Sequence, residues 1–301
     1  MDNDSELKKA LVNIYRKSRL KFDYMGMGLL SEEQGNSLIG SMINKNIPFV
    51  VGRFGAVEMR LVTKFSQCGG GYSVTEKENA MYAAGIFPND ERFLNRFCEA
   101  YIQAMGSCDV LGVWETVGEK AAIKDYCKNP RLVPSRSIEP YYFSEPWSKY
   151  LRGKKVLIIH PFVETIQKQL QKSGIWENQD VLPAFEKIEV IKAVQSNAGG
   201  ITEYPDWFEA LDSMKERIDK KDFDIAVVGA GAYGMPLCSY IKSKGKSTIQ
   251  MCGATQILFG IKGKRWDNHA IISGFYNDKW VRPAESETPP QIEKVEGGSY
   301  W

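Results

Sequence analysis

Six short runs of apolar, largely β-branched residues punctuate this chain: Pro48 to Gly52 (PFVVG), Asp109 to Trp114 (DVLGVW), Lys155 to His160 (KVLIIH), Ile188 to Ala193 (IEVIKA), Phe223 to Gly229 (FDIAVVG) and Ser247 to Cys252 (STIQMC). Their hydrophobicity is continuous rather than alternating, which marks strands covered on both faces and hence a parallel sheet. The segments between them carry helix-period patterns with readable starts. Ser31 with Gln34 and Thr75 with Glu78 have capping-box spacing, and Pro205-Asp206 opens the amphipathic WFEALDSMKERI. Strands and helices in alternation predict an α/β protein with a Rossmann-like, mostly parallel, doubly wound sheet flanked by helices.

With 301 residues, 43% of them hydrophobic and 25% charged, the chain is long enough for one large domain or two smaller ones. The expected organisation is an N-terminal helical segment over 1–47, an α/β domain over 48–280 and an extended tail over 281–301. The tail has two prolines and little periodicity. An internal boundary is allowed near 144–153, where SEPWSKYLRGKK leads into a fresh strand. Lys plus Arg number 39 against 37 Asp plus Glu, so no nucleic-acid partner is expected and any anionic ligand must be held by a local cluster. Six cysteines without a CxxC pair, beside two histidines, give neither a disulfide framework nor a zinc site. The start, MDNDSELKKALVNIYRK, is unlike a secretory signal, and no apolar run is long enough for a transmembrane segment. A cytoplasmic protein with reduced thiols is expected.

In a doubly wound sheet, ligands bind beyond the carboxyl ends of the strands. Those positions hold Arg53-Phe54-Gly55, Glu115, His160-Pro161, Gly229 to Gly234 and Gly253 to Gln256. The stretch VVGAGAYG satisfies GxGxxG through Gly229, Gly231 and Gly234, with Tyr233 inside it. Three readings stand: a dinucleotide turn, a glycine turn that lets helix and strand pack closely, and a diphosphate cradle for another nucleotide. The dinucleotide reading needs an acidic residue at the end of the next strand. That strand ends QMCGATQ, without a carboxylate, and the motif follows the fifth of six strands rather than the first. No nicotinamide cofactor is expected.

The stretch GATQILFGIKGKRWDN places Gly253, Thr255 and Gln256 at a helix start, with Lys262, Lys264 and Arg265 in one cationic group followed by Trp266. Such a cluster can neutralise a diphosphate, with Arg265 binding in bidentate fashion and Trp266 stacking on a base or sugar; a solvated basic helix end is the alternative. In GRFGAVEMRLV, Gly52 and Gly55 give the backbone room around Arg53, and Glu58 falls in the first turn of a helix starting near Ala56. There a carboxylate also answers the helix dipole.

The runs GRFGAVE, HPFVETIQKQ, VGAGAYGMPLCSYIKSKGK and CGATQILFGIKGKRWD together resemble the bacterial glycosyltransferases of the GT-D fold, over about Pro48 to Asp267. The resemblance implies transfer of a sugar from a nucleotide diphosphate donor to a surface polysaccharide or glycoconjugate acceptor. It also implies an Asp-x-Glu motif that holds Mg²⁺ or Mn²⁺ after the first strand. Carried onto this chain, that motif reads Ala56-Val57-Glu58. The glutamate is kept as the metal-ligand candidate and the aspartate is lost, which removes one hard oxygen ligand.

Two mechanisms follow: a metal held by Glu58 and the donor phosphates, or leaving-group stabilisation by Arg53, Lys264, Arg265 and the glycine-turn amides. For the acceptor's proton the candidates are Glu115, His160, Glu164 and Glu139. Tyr141, with Tyr142, Phe143 and Trp147, is a candidate sugar-stacking wall. One rival is a non-catalytic binder of the same fold, supported by Ala56; the other is a nicotinamide-dependent oxidoreductase, disfavoured by the missing ribose carboxylate.

Overall fold

All six runs become strands of one sheet in the computed structural model, which describes residues 18–301. In chain order the strands are β1 (Val50–Gly52), β2 (Val110–Val113), β3 (Arg131–Pro134), β4 (Lys155–His160), β5 (Lys187–Lys192), β6 (Ile225–Val228) and β7 (Ser247–Gln250). β3 was not expected. It is four residues long and ends in proline, which a sheet tolerates at an edge, and an edge is where it lies. The sheet order is β3-β2-β1-β7-β6-β4-β5, and every neighbouring pair is parallel. The glycine motif therefore follows the sixth of seven strands.

Successive strand residues point to opposite faces, and both faces are covered. Val50, Leu111, Leu157, Ile159, Ala226 and Val228 meet Met59, Phe97, Trp207 and Leu237 from the helices Ala56–Cys68, Glu91–Met105, Trp207–Asp219 and Gly234–Ser243. Val51, Val110, Val156, Ile158, Val227 and Ile249 meet Ile39 and Ile43 of the Glu32–Lys45 helix, Ile166 of the Val163–Gln169 helix, and Phe259 and Trp280 beyond β7. Two cores on one sheet explain why the strands read as unbroken apolar runs.

Helix starts follow the local chemistry. The Ser31–Gln34 capping box is present in both directions, at 3.1 and 2.9 Å. The second box sits two residues earlier than the sequence suggested: Ser73 and Glu76 cap the Val74–Tyr82 helix. Gly70 and Gly71, both at positive φ, turn the chain immediately before Ser73, so the helix opens at the first of two overlapping box sequences. Asp206 accepts from the amides of Phe208 and Glu209 at 2.8 and 2.9 Å, as expected of its position.

Residues 1–17 of the expected N-terminal segment lie outside the described residues. Around 144–153 the chain forms a 3-10 turn, Trp147–Leu151, with Trp147 buried and its amide donating to Asn36 Oδ1 at 2.8 Å. One sheet takes strands from both sides of that turn. Residues 281–301, expected as an extended tail, instead fold back over the carboxyl edge of the sheet. Val281 bridges Ile261, Gln291 N donates to Ala198 O, and Trp301 Nε1 donates to Glu287 O at 3.0 Å. Isolated apolar anchors, Val295 and Trp301, hold this segment without any helical or strand period. Among the described residues no helix is long and apolar enough to cross a membrane.

Candidate functional site

A cleft of about 650 Å³ opens beyond the carboxyl ends of β1, β4, β6 and β7. It lies where the chain direction across the sheet reverses between β1 and β7, the place where such sheets bind ligands. The turns after these strands form its floor, and the C-terminal segment forms one wall through Glu296, Tyr300 and Trp301.

The β6 turn shows why the chain needs glycine twice. A Cβ on Gly229 would lie 2.6 Å from His160 Cδ2 and 2.7 Å from both the Cys252 carbonyl and Thr255 Oγ1, so this position is glycine because three elements converge on it. Gly231 is different: its φ is +51° and a Cβ there meets no protein atom within 4 Å. The left-handed backbone selects glycine there, and the space beside it is cleft. Both residues line the cleft, with Tyr233, whose ring stacks on Trp207 at 4.8 Å and whose hydroxyl meets Ser196 Oγ at 2.9 Å. Gly234 starts the following helix with its α-carbon against the side chain of Gln250, and Gly52 approaches the same side chain. Gln250 itself, missed in the sequence, lines the cleft with its Oε1 buried and unpartnered.

After β7, Gly253 lies under the Tyr300 ring, which any side chain would strike. Gln256 lines the cleft but spends its amide on the carbonyls of Lys262 and Tyr300 at 3.1 and 3.0 Å. Thr255 is buried beneath, outside the lining. Arg265 and Trp266 reach the cleft. Arg265 is already engaged by Tyr300 Oη at 3.0 Å and Glu296 Oε2 at 3.3 Å. Lys264 turns away and donates to Gly297 O at 3.0 Å.

On the β1 turn, Arg53 is buried and committed. It donates to Glu139 Oε1 and to the Met251 carbonyl, both at 2.8 Å. Glu139 also accepts from Tyr141 Oη at 2.7 Å, and Tyr141 is stacked on Trp176 behind the cleft wall. Glu58 is 7% exposed in the first turn of the Ala56–Cys68 helix, and it folds back over Gly55 so closely that a side chain at 55 would collide with its carboxylate. It has no ion-pair partner among the described residues. Burial raises its carboxyl above the ordinary value, against the opposing effect of a hydrogen bond from its own backbone.

His160 lines the cleft from the end of β4. Burial depresses its imidazole to about 3, so it is neutral, and its Nδ1 accepts from the Phe162 amide at 3.0 Å. That hydrogen bond assigns the proton to Nε2.

Two remaining candidates lie outside the cleft. Glu115 adopts φ +63° and pairs with Arg19 at 3.3 Å. Glu164 pairs with Lys168 and Ser286 at 2.6 Å each, on the surface of the Val163–Gln169 helix. Of the expected aromatic wall only Tyr142 reaches the lining, and the structure adds Trp114, Ser135 and Arg136 to it. Trp114 had been visible only as the last residue of a strand.

These residues do not compose a resident metal centre. Ala56 offers a methyl group, Glu139 is taken by Arg53 and Glu296 by Arg265, which leaves Glu58 as the uncommitted carboxylate among the described residues of the cleft lining. Among the described residues no three His, Cys, Asp or Glu side chains gather as a cage. A single carboxylate falls short of what a divalent ion takes from a dedicated protein site.

The GT-D fold-like domain family matches residues 30–258, a span that starts just before the Glu32–Lys45 helix and ends with the short Thr255–Leu258 helix beyond β7. Two solved structures share 14% sequence identity with the chain. One, described as showing that "the highly conserved domain of unknown function 1792 has a distinct glycosyltransferase fold", has a TM-score of 0.48 and covers 87% of this chain and 93% of its own. The other, "a new glycosyltransferase (DUF1792) from Streptococcus sanguinis", also has a TM-score of 0.48 and covers 88% of this chain and 97% of its own. No curated protein matches the chain.

Proposed function

Because the chain belongs to the GT-D fold-like family, we propose that it is a glycosyltransferase that moves a sugar from a nucleoside diphosphate donor to a glycan or glycoconjugate acceptor in this cleft. The observation that carries the reading is the Gly229–Gly231 turn. Its second glycine opens onto free space at the start of the Gly234–Ser243 helix, and Arg265 lines the same cleft. Backbone amides at a helix start and a guanidinium together suit a diphosphate.

The donor diphosphate lies along the Gly229–Gly231 turn with Arg265 on its charge. As the acceptor hydroxyl attacks the anomeric carbon, the bond from that carbon to the diphosphate oxygen breaks and its electron pair leaves with the nucleotide. Arg265 and the turn amides stabilise that developing charge. Glu58 takes the hydroxyl proton, a role favoured by a buried carboxylate whose proton affinity is raised. His160 acts as a neutral donor through Nε2 rather than as the base. Arg53 holds Glu139 and the Met251 carbonyl in place and so shapes the floor.

A panel of uridine, guanosine and thymidine diphosphate sugars, scored for nucleotide release with and without Mn²⁺, tests the reading. Acceptor-dependent release that Glu58→Gln abolishes is expected. Absence of release with every donor refutes transfer. Ala56 favours a second reading, a non-catalytic binder, which predicts nucleotide affinity without turnover.

A further inference from the structure

The sheet order divides the cleft. The turns after β6 and β7 lie on one side of β1, and β2 and β3 lie on the other. On the β2 side the lining is Trp114 with Ser135, Arg136 and Tyr142. Trp114 is 44% exposed, whereas Trp147, Trp207, Trp266 and Trp280 are buried. Its indole Nε1 donates to the Phe54 carbonyl at 2.9 Å, which ties the ring to the β1 turn. Its amide and that of Glu115 both donate to the Glu119 carboxylate, at 3.2 and 3.0 Å, and the Tyr24 hydroxyl donates to the same buried oxygen. Glu115 takes up the left-handed backbone that this arrangement demands. The ring is therefore held by fixed hydrogen bonds, its one polar atom is spent on backbone, and the rest of it is left half-wet over the cleft.

We propose that Trp114 is the platform on which the acceptor's pyranose ring stacks, an inference that rests on the transfer reading above. An indole with its N–H satisfied recognises a ligand by its π-face alone. A pyranose offers a matching sheet of C–H groups, while its hydroxyls remain turned toward water and toward Ser135 and Arg136. The donor diphosphate occupies the opposite side of β1, so the acceptor hydroxyl approaches Glu58 from the Trp114 side.

The test uses p-nitrophenyl β-glucoside, β-galactoside and β-N-acetylglucosaminide as acceptor probes with wild-type, Trp114→Ala and Trp114→Phe proteins. Glycoside binding is followed by saturation-transfer NMR and, where nucleotide is released, by acceptor KM; the Kd for UDP is measured by calorimetry. Trp114→Ala is expected to weaken the glycoside about tenfold with the UDP Kd changed less than about twofold, and Trp114→Phe to recover most of the loss. The unchanged UDP Kd also certifies that the variant is folded. Glycoside affinity equal in all three proteins, no glycoside binding to wild type, or a loss of UDP affinity matching that of the glycoside each overturns the proposal. If no donor releases nucleotide, the transfer reading fails, while the NMR comparison still decides whether Trp114 binds a sugar ring.

Discussion

Gly229 and Gly231 stand two residues apart in one turn, yet the structure gives them opposite reasons for being glycine, and two alanine variants separate them. At 229 the added methyl would sit 2.6 to 2.7 Å from His160, from Thr255 and from the Cys252 carbonyl. The carbonyl is backbone and cannot rotate away, so the β7 turn must shift. Overpacking of this kind costs about 1–3 kcal/mol. At 231 the methyl meets nothing, and the cost is the left-handed φ of +51°. That strain is about 1–2 kcal/mol, offset by about 0.4–1 kcal/mol from the stiffer unfolded chain. The net is about 0–1.6 kcal/mol, at about 2–4 °C in melting temperature per kcal/mol for a large domain.

Ligand affinity should reverse the order. The Gly231 methyl projects into the space assigned to the diphosphate, so Gly231→Ala should weaken UDP at least about tenfold, or about 1.4 kcal/mol, while remaining folded. Gly229→Ala should lose more stability, and its UDP affinity should fall only as far as the turn is displaced. Urea unfolding gives the first quantity and calorimetry the second. Gly231→Ala with undiminished UDP affinity would refute the diphosphate cradle. If both variants unfold equally, the whole turn serves packing alone.

Three further outcomes are expected. Arg265→Ala should lose about 1.5–3 kcal/mol of UDP affinity if its guanidinium makes a charged hydrogen bond to phosphate, and unchanged calorimetry would remove it from the site. Because Glu296 now sits on Arg265 at 3.3 Å, Glu296→Gln should tighten UDP by no more than about fivefold, the scale of an exposed ion pair; weaker binding would mean that Glu296 positions Arg265 instead of competing for it. Glu58→Gln should melt higher than wild type at neutral pH. Burial raises the Glu58 carboxyl in the fold, so its contribution to stability is full below the ordinary value of 4.5 and is lost as pH rises through the folded value. The glutamine does not titrate, so its advantage should vanish in melts near pH 4, and a variant less stable at neutral pH would show the helix dipole to dominate.

The strands and their burial were legible because unbroken apolar runs have one physical cause, a sheet covered on both faces. β3 escaped because four residues ending in proline carry no period. The strand-end rule located the cleft, yet residue type could not say which strand-end groups were free. Arg53 reads as a phosphate ligand until Glu139, 86 positions away, is seen to hold it at 2.8 Å. Lys264 reads as part of a cationic cluster until the Gly297 carbonyl takes its ammonium. Those partners come from after β3 and from the C-terminal segment, and long-range pairing leaves no local pattern. Trp114 was hidden for the converse reason: a tryptophan closing an apolar strand looks like core, and its hydrogen bonds to the Phe54 carbonyl and the Glu119 carboxylate show what holds it outside.

Most of the cleft's cationic side chains arrive with a carboxylate attached: Arg53 with Glu139, Arg136 with Glu32 and Arg265 with Glu296. Near-equal numbers of basic and acidic residues in the whole chain are thus repeated locally, and an approaching anion meets little net field. These three pairs differ in what an anion can do with them. In the Arg53 pair both partners are less than 20% exposed; separating them would strand a buried charge, which costs more than a phosphate contact returns. The Arg265 pair is 40% and 59% exposed, so Glu296 can swing into water at little cost and leave the guanidinium to a phosphate. Burial rather than charge count therefore ranks the cations: under the proposed transfer reading the exposed Arg265 is the one open to a phosphate, and the buried Arg53 builds the floor. The same ranking explains how Glu58 can act as a base. It is the cleft carboxylate that no cation neutralises, and burial alone raises its affinity for the proton it must take.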